Sequence, residues 1–107
     1  MKKFDSNYKI LQDMSDDYYP AFLVDKLRKE IQNVIAFLET GVTDLYQIQE
    51  KLDHMTINMN QIAEEFEDND SEIESIARDN IAADIIKILN YFDIPLDVET
   101  ALREREW

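Results

Sequence analysis

The sequence predicts an all-α fold, an antiparallel helix bundle of about four helices followed by a short C-terminal helix. The 107 residues include only one glycine and two prolines, whereas sheets, hairpins and tight βα loops depend on such turn residues. Apolar residues also recur every three or four positions along most of the chain, which is the helical period. Short links between the predicted helices favour antiparallel neighbours.

Length and composition predict a single helical domain over residues 1–107. A chain of this size buries roughly 60 to 70% of its unfolded surface, which suffices for one core. A hydrophobic content of 45% is too high for a disordered chain. The absence of cysteine excludes disulfides and thiolate ligands. No apolar segment follows the basic pair Lys2-Lys3, and none is long enough to span a membrane, so we expect a cytoplasmic protein without an anchor.

The net charge of −13 restricts the classes of partner. Phosphate backbones and anionic lipid surfaces are repelled by such a chain, while basic proteins, polyamines and divalent cations are attracted. We therefore expect a basic protein as the partner and neither nucleic acid nor membrane.

Two helices are predicted in the first 40 residues. The first extends from Asp5 to Asp16, with apolar residues at near-helical spacing. The second begins at Pro20, which suits a first helical turn, and runs to about Thr40 before Gly41 ends it. Its apolar stripe consists of Val24, Leu27, Ile31, Val34 and Leu38.

The third predicted helix has the most regular pattern in the chain. Thr43 is the expected N-cap, because threonine oxygens accept hydrogen bonds from the first helical N–H groups. Apolar residues then alternate in steps of three and four, the spacing of a seam in a helix bundle. They are Leu45, Ile48, Leu52, Met55, Met59, Ile62 and Phe66.

A fourth helix and a short terminal one complete the prediction. Ser71 and Glu74 fit the capping-box pattern that begins a helix. The apolar stripe behind them comprises Ile73, Ala77, Ile81, Ile85, Ile88 and Phe92. Asp97 then caps a last short helix, and we expect Trp107 to pack onto the end of the bundle.

Catalytic and cofactor-binding motifs are missing from the sequence. With Gly41 as the only glycine, a phosphate-cradling loop cannot form, and the serines all lie in capping or helix-surface contexts. His54 is the only imidazole, and with Glu50 one turn away a cation site is conceivable. An ordinary surface histidine is the favoured interpretation. We therefore predict no enzyme activity, no cofactor and no metal site.

A calcium loop is also considered and rejected. The run from Asp68 to Glu72 has acidic or amide residues at alternate positions, as calcium loops do. However, Ile73 stands where that loop requires glycine, and Asp79 stands where it requires a bidentate glutamate.

The most unusual feature is a run of acids around the predicted turn between the third and fourth helices, with no Lys or Arg between Lys51 and Arg78. Three of these acids crowd the end of a helix, where the helix dipole favours cations instead. The run either binds a basic partner or only solvates a hairpin tip, and solvation is the usual role of such runs. We call this set the acidic pole: Glu64, Glu65, Glu67, Asp68, Asp70, Glu72 and Glu74.

A second candidate surface is the aromatic and acidic link from Asp16 to Phe22, where the first predicted helix passes into the second, and it contains Tyr18 and Tyr19. Tyrosine is enriched at protein interfaces because it combines a large apolar area with a polar tip. The alternative, which we favour, is that these rings plug the end of the bundle.

Four stretches of the chain are distinctive as strings: Asp16-Asp17-Tyr18-Tyr19-Pro20, Phe22-Leu23-Val24-Asp25-Lys26, Ala77-Arg78-Asp79 and Ala101-Leu102-Arg103-Glu104-Arg105-Glu106-Trp107. With these strings, nearly the whole chain resembles a family of small acidic bacterial proteins of unknown function. The resemblance implies a stand-alone helical protein and transfers no catalytic residue.

Three functional hypotheses follow. The leading one is a non-enzymatic interaction module that binds a basic protein, as an immunity or antitoxin-like inhibitor or as a regulatory adaptor. The second is a carboxylate-rich bundle that binds divalent cations or catalyses hydrolysis, for which Asp84 is the acid expected to point partly inward. The third is a structural homodimer that uses Ala36 and Phe37, which lie outside the main stripe of their helix.

Overall fold

Four α-helices follow one another in the computed structural model, which describes residues 2–107 and confirms the predicted all-α bundle. No strand occurs among those residues. No helix among them is long and apolar enough to cross a membrane. The helices are α1 (Ala21–Leu38), α2 (Leu45–Asp68), α3 (Ser75–Tyr91) and α4 (Val98–Ala101).

Helices α1 and α2 form an antiparallel hairpin. Lys26 near the start of α1 pairs with Glu65 near the end of α2, whereas Lys51 near the start of α2 lies over the ring of Phe37 near the end of α1. The predicted stripe of α1 is buried throughout, and so is the predicted seam of α2 except Leu45, which is 41% exposed. Gly41 adopts a φ of 86° in the link, as expected for a glycine that ends a helix.

The first predicted helix is wrong. The segment of residues 4–19, here called the N-terminal strap, contains only the short 3₁₀ helix Gln12–Met14. Asp5 accepts a hydrogen bond from the backbone N–H of Asn7, and such local bonds compete with helix formation. Leu11 has a φ of 57°, outside the right-handed helical region. The apolar spacing is real because Phe4, Leu11 and Met14 are buried, but in an irregular segment.

The strap is attached to α3 by side chains of that helix. Asp84 accepts from the backbone N–H of Leu11 at 2.7 Å, and Asn80 accepts from the N–H of Asp13 at 2.8 Å. These bonds satisfy the backbone donors that a helix would have satisfied internally.

Two of the predicted N-caps are also wrong. Asp44, not Thr43, caps α2 by accepting from the N–H of Tyr46 at 2.9 Å. The Ser71–Glu74 capping box does not form, because α3 begins only at Ser75 and Glu74 itself is the N-cap. The prediction for Asp97 is confirmed, since its carboxylate accepts from the N–H of Thr100 at 2.7 Å.

The last residues of the chain pack back onto the bundle. The side chain of Asn60 in α2 donates to the carbonyl of Glu104 at 2.8 Å and accepts from the N–H of Glu106 at 3.0 Å. Trp107 is partly buried against the core, which confirms that it packs onto the bundle. The apolar stripe of α3 is buried from Ile73 to Ile88, while Phe92 is half-buried.

Candidate functional site

The acidic pole lies at the end of the bundle where α2 ends and α3 begins. Because α1 and α2 are antiparallel, the link that precedes α1 lies at this same end. The two surfaces considered from the sequence, the acidic pole and the tyrosine link, are therefore neighbours in the fold.

The turn at the centre of the acidic pole is a helix-ending motif that was not predicted from the sequence. The N–H of Ser71 donates to the carbonyl of Phe66 at 2.8 Å, and the N–H of Asp70 donates to that of Glu67 at 3.1 Å. This pair of bonds is the Schellman motif, which requires a left-handed residue, here Asp70 with a φ of 56°. The motif uses the N–H of Ser71, which in a capping box would have bonded to the side chain of Glu74.

Five of the seven carboxylates of the acidic pole are exposed, and the other two are half-buried and bonded. Glu65 forms an ion pair of 2.6 Å with Lys26. Glu74 accepts from the N–H groups of Ile76 and Ala77, both at 3.1 Å. The exposed members are Glu64, Glu67, Asp68, Asp70 and Glu72.

Tyr19 joins the tyrosine link to the acidic pole. Its hydroxyl donates to Glu74, and only 4% of the residue is exposed. Burial and this hydrogen bond hold the pKa of Tyr19 above its usual value, and the same bond holds the pKa of Glu74 below its usual value. Tyr19 therefore plugs the end of the bundle, and the structure corrects its placement among the partner-binding residues.

Exposed apolar side chains accompany the carboxylates at this end. Tyr18 is 69% exposed, Phe22 in the first turn of α1 is 55% exposed, and Ile76 in the first turn of α3 is 59% exposed. Tyr18 was among the sequence candidates and Phe22 is the last residue of the same candidate link, whereas Ile76 was not a candidate. The sequence feature that could have identified Phe22 and Ile76 as exposed is that each of these apolar residues lies beside, rather than on, the buried stripe of its helix.

A family model described as a family of unknown function, DUF5713, matches residues 4–107. The chain belongs to this family. The resemblance proposed from the sequence is thus confirmed at the level of an uncharacterised family. Comparisons with curated proteins and with solved structures give no match. Because the function of the family is unknown, membership in it identifies no reaction, ligand or partner. A function can be proposed only from the exposed residues of this chain.

The conceivable cation site around His54 is not assembled in this member of the family. His54 is exposed, and the carboxylate of neighbouring Asp53 accepts from Arg103 at 2.7 and 3.1 Å and from Gln49 at 2.9 Å. Partial burial raises the pKa of Asp53, but these hydrogen bonds outweigh it and hold the pKa below its usual value. Within residues 2–107, no group of three or more acidic or imidazole side chains is arranged to hold a metal ion.

Asp84 points inward, as the sequence suggested, but it anchors the strap. The residue is 2% exposed, and its carboxylate accepts from the hydroxyl of Tyr8 at 2.5 Å and from the N–H of Leu11 at 2.7 Å. Burial raises the pKa of Asp84, and the two hydrogen bonds oppose that rise only in part. Burial and the bond to Asp84 also raise the pKa of Tyr8 to about 12.

The apolar residues offered for a homodimer differ in their surroundings. Phe37 is half-buried against the core, with the ammonium of Lys51 5.8 Å from the centre of its ring, whereas Ala36 is exposed. The ring that would have contributed most apolar area to a dimer through α1 is thus largely covered within the chain.

Proposed function

We propose that this chain is a non-enzymatic interaction module whose acidic pole binds a basic protein surface. It would act as an immunity or antitoxin-like inhibitor, or as a regulatory adaptor, in the bacterial cytoplasm. The observation that supports this proposal is the presence of exposed carboxylates and the exposed side chains of Tyr18, Phe22 and Ile76 at one end of the bundle.

Protein interfaces combine apolar anchors with a polar rim, and aromatic residues often carry much of the binding energy. At the acidic pole, Phe22 and Tyr18 provide the aromatic area, and the surrounding carboxylates provide the rim. Charges of one sign accelerate the encounter with an oppositely charged partner, and salt screens this effect. We therefore expect fast and strongly salt-dependent association.

Helix electrostatics also support the proposal. Glu64, Glu67 and Asp68 lie among the last five residues of α2, which include no basic residue. An acid at this position costs about 0.3 to 1 kcal/mol at low salt. Lys26 of α1 pairs with Glu65, and within residues 2–107 no ion pair of Glu64, Glu67 or Asp68 offsets this cost.

Affinity capture with matched charge variants tests the proposal. The test variant carries Glu64→Gln and Glu67→Gln, and the control carries Glu50→Gln near the start of α2 and Asp93→Asn just after α3, which remove the same charge from exposed positions at the opposite end of the bundle. We leave Glu65 unchanged because its ion pair with Lys26 belongs to the fold.

The expected result is a basic protein that wild type and control recover equally from a bacterial lysate at low salt. Recovery should fall with the test variant and at high salt. A further variant, Phe22→Ala, should weaken capture without changing its salt dependence. Equal recovery by the test and control variants would refute the assignment of the acidic pole.

A further inference from the structure

The outer face of α3 carries apolar residues, as its inner face does. Ile81, Ile85 and Ile88 of the inner face are buried in the core. On the outer face, Ile86 is 43% exposed, and Ala83 one turn before it is also exposed. A surface helix of a monomer normally shows polar residues opposite its buried face, so the apolar outer residues of α3 indicate a surface that a second helix can cover.

The charge of this outer face differs from the charge of the whole chain. Two copies with a net charge of −13 repel one another wherever their acidic surfaces approach. The structure describes every residue of α3, and its exposed residues include one acid, Asp79, and one base, Lys87. The outer face thus has no net charge, so it offers a basic protein no excess of acid, and two copies can pack here without bringing excess acids together.

The acid and the base are arranged symmetrically on the helix. Asp79 is four residues before Ala83 and Lys87 is four residues after it, so the three form one i±4 row on the surface of α3. The commonest packing of two helices brings such rows together at about −50°, and the small side chain of alanine permits a close approach. When the helices are antiparallel, each Asp79 lies beside Lys87 of the second copy. The face is therefore complementary to itself, as a two-fold dimer requires.

Antiparallel pairing also keeps the two acidic poles apart. Glu74 caps α3 at the acidic pole, nine residues before Ala83, which is about 14 Å of helical rise. Poles on either side of a two-fold axis at Ala83 are then about 27 Å apart, whereas charges are screened over about 8 Å at physiological salt. Parallel pairing would place the poles side by side. The distribution of charge therefore favours a second copy in the antiparallel orientation.

We propose that the outer face of α3 binds a second copy of the chain in an antiparallel, two-fold dimer. The dimer goes beyond the proposed function, because both acidic poles stay exposed at its two ends and each can bind a basic protein. One helix face is smaller than the standard protein interface of about 1,600 Å², so we expect a dissociation constant on the order of 100 μM. The chain is then monomeric in the dilute solutions in which unfolding is measured.

Sedimentation equilibrium of the full chain from about 10 μM to about 1 mM spans the expected dissociation constant. The mean mass should rise from that of one chain toward that of two. Added salt should strengthen the dimer, because it screens the repulsion between two acidic chains, whereas it should weaken capture of a basic partner. This opposite dependence on salt separates the test of the dimer from the test of the acidic pole.

Matched alanine substitutions locate the interface. Ala83→Glu places two like charges beside each other at the two-fold axis and should weaken association about tenfold or more. Ala36→Glu adds the same charge to an exposed position of α1, the helix considered for a dimer from the sequence. This control should associate within about threefold of wild type, since salt screens a charge outside the interface. Circular dichroism establishes that both variants are folded.

A charge exchange tests the orientation. Asp79→Lys makes the chain less negative and would strengthen association if only net charge mattered. In the antiparallel dimer it instead places two ammonium groups together, and it should weaken association about tenfold because two symmetry-related pairs are affected. Adding Lys87→Asp restores the net charge and the opposite charges of each pair, so the double variant should return to within about threefold of wild type.

The inference is overturned by a wild-type chain that stays monomeric up to about 1 mM, by equal weakening with Ala83→Glu and Ala36→Glu, or by a double charge variant that associates no better than Asp79→Lys alone. These outcomes leave the proposed function untouched, because Glu64 and Glu67 lie on α2. Failure of partner capture, in turn, leaves the dimer standing.

Discussion

Replacing Asp84 by alanine should destabilise the fold more than removing any surface acid, because this carboxylate joins the N-terminal strap to α3. The substitution leaves the N–H of Leu11, a residue with no exposed surface, without its acceptor, and it also removes the partner of the Tyr8 hydroxyl. Each hydrogen bond to a charged group contributes about 1.5 to 3 kcal/mol. The unfavourable burial of the carboxylate offsets part of this loss, so we expect the free energy of unfolding to fall by about 2 to 4 kcal/mol.

Asparagine at the same position should be tolerated. Its amide oxygen can accept from the N–H of Leu11, and its NH₂ group can donate to the Tyr8 oxygen, because a phenol is both donor and acceptor. Asp84→Asn should therefore remain within about 1 kcal/mol of wild type. The exposed Asp79→Ala on the same helix is the control and should change stability by less than about 0.5 kcal/mol.

Urea unfolding followed by circular dichroism measures these differences as shifts in the midpoint at constant slope. The anchoring role would be refuted by an Asp84→Ala variant within about 1 kcal/mol of wild type, the contribution of one hydrogen bond, or by one no less stable than Asp84→Asn.

The pH dependence of the same variants supplies a second measurement. Because burial raises the pKa of Asp84 above its ordinary 3.8, the folded chain binds this proton more tightly than the unfolded chain does. The stabilising contribution is then complete below pH 3.8 and is lost as the pH rises through the folded pKa. The stability of wild type relative to Asp84→Asn should thus decline across that interval, and an increase would contradict the raised pKa.

The remaining predictions concern the caps, the end of the bundle and the charge. Tyr19→Phe should lower the free energy of unfolding by about 1 to 2 kcal/mol, because it removes the buried bond to Glu74; an unchanged urea midpoint would contradict this. Asp44→Ala should cost about 1 kcal/mol through the lost cap of α2, whereas Thr43→Ala should cost little. Asp70→Gly should raise the free energy of unfolding by up to about 1 kcal/mol, since glycine adopts a positive φ without strain. Self-repulsion from the charge of −13 predicts a melting temperature that rises with added salt, and a falling one would refute it.

The parts of the fold that the sequence predicts well are those in which local pattern and packing agree. The stripe of α1 and the seam of α2 are long enough for the helical period to be unambiguous, and Gly41 marks the break between them. The prediction of a helix in the strap was wrong because the apolar residues of this segment match a helical spacing by coincidence. What determines its conformation is a distant residue, Asp84, which is 73 positions from Leu11, and no local pattern contains that information.

The candidate site, too, could be predicted only in part from the sequence. The run of acids could be identified from the sequence alone, because the charge of a segment depends only on its residue types. The contact between Tyr19 and Glu74 joins residues 55 positions apart. It depends on how the start of α1 and the start of α3 are brought to one end, so it required the structure.

The carboxylates of the acidic pole are not equivalent once their contacts are known. Glu74 caps α3 and binds Tyr19, and Glu65 pairs with Lys26, so these two have structural roles. Within residues 2–107, the side chains of Glu64, Glu67 and the other exposed members form no hydrogen bond or ion pair, although three of them oppose the dipole of α2. A turn that only has to be solvated requires charged residues, but it does not require acids at the C-terminal end of a helix, where the helix dipole disfavours them. The cost therefore falls on the residues that the proposed basic partner would contact, and we expect their substitution to weaken binding without changing the fold.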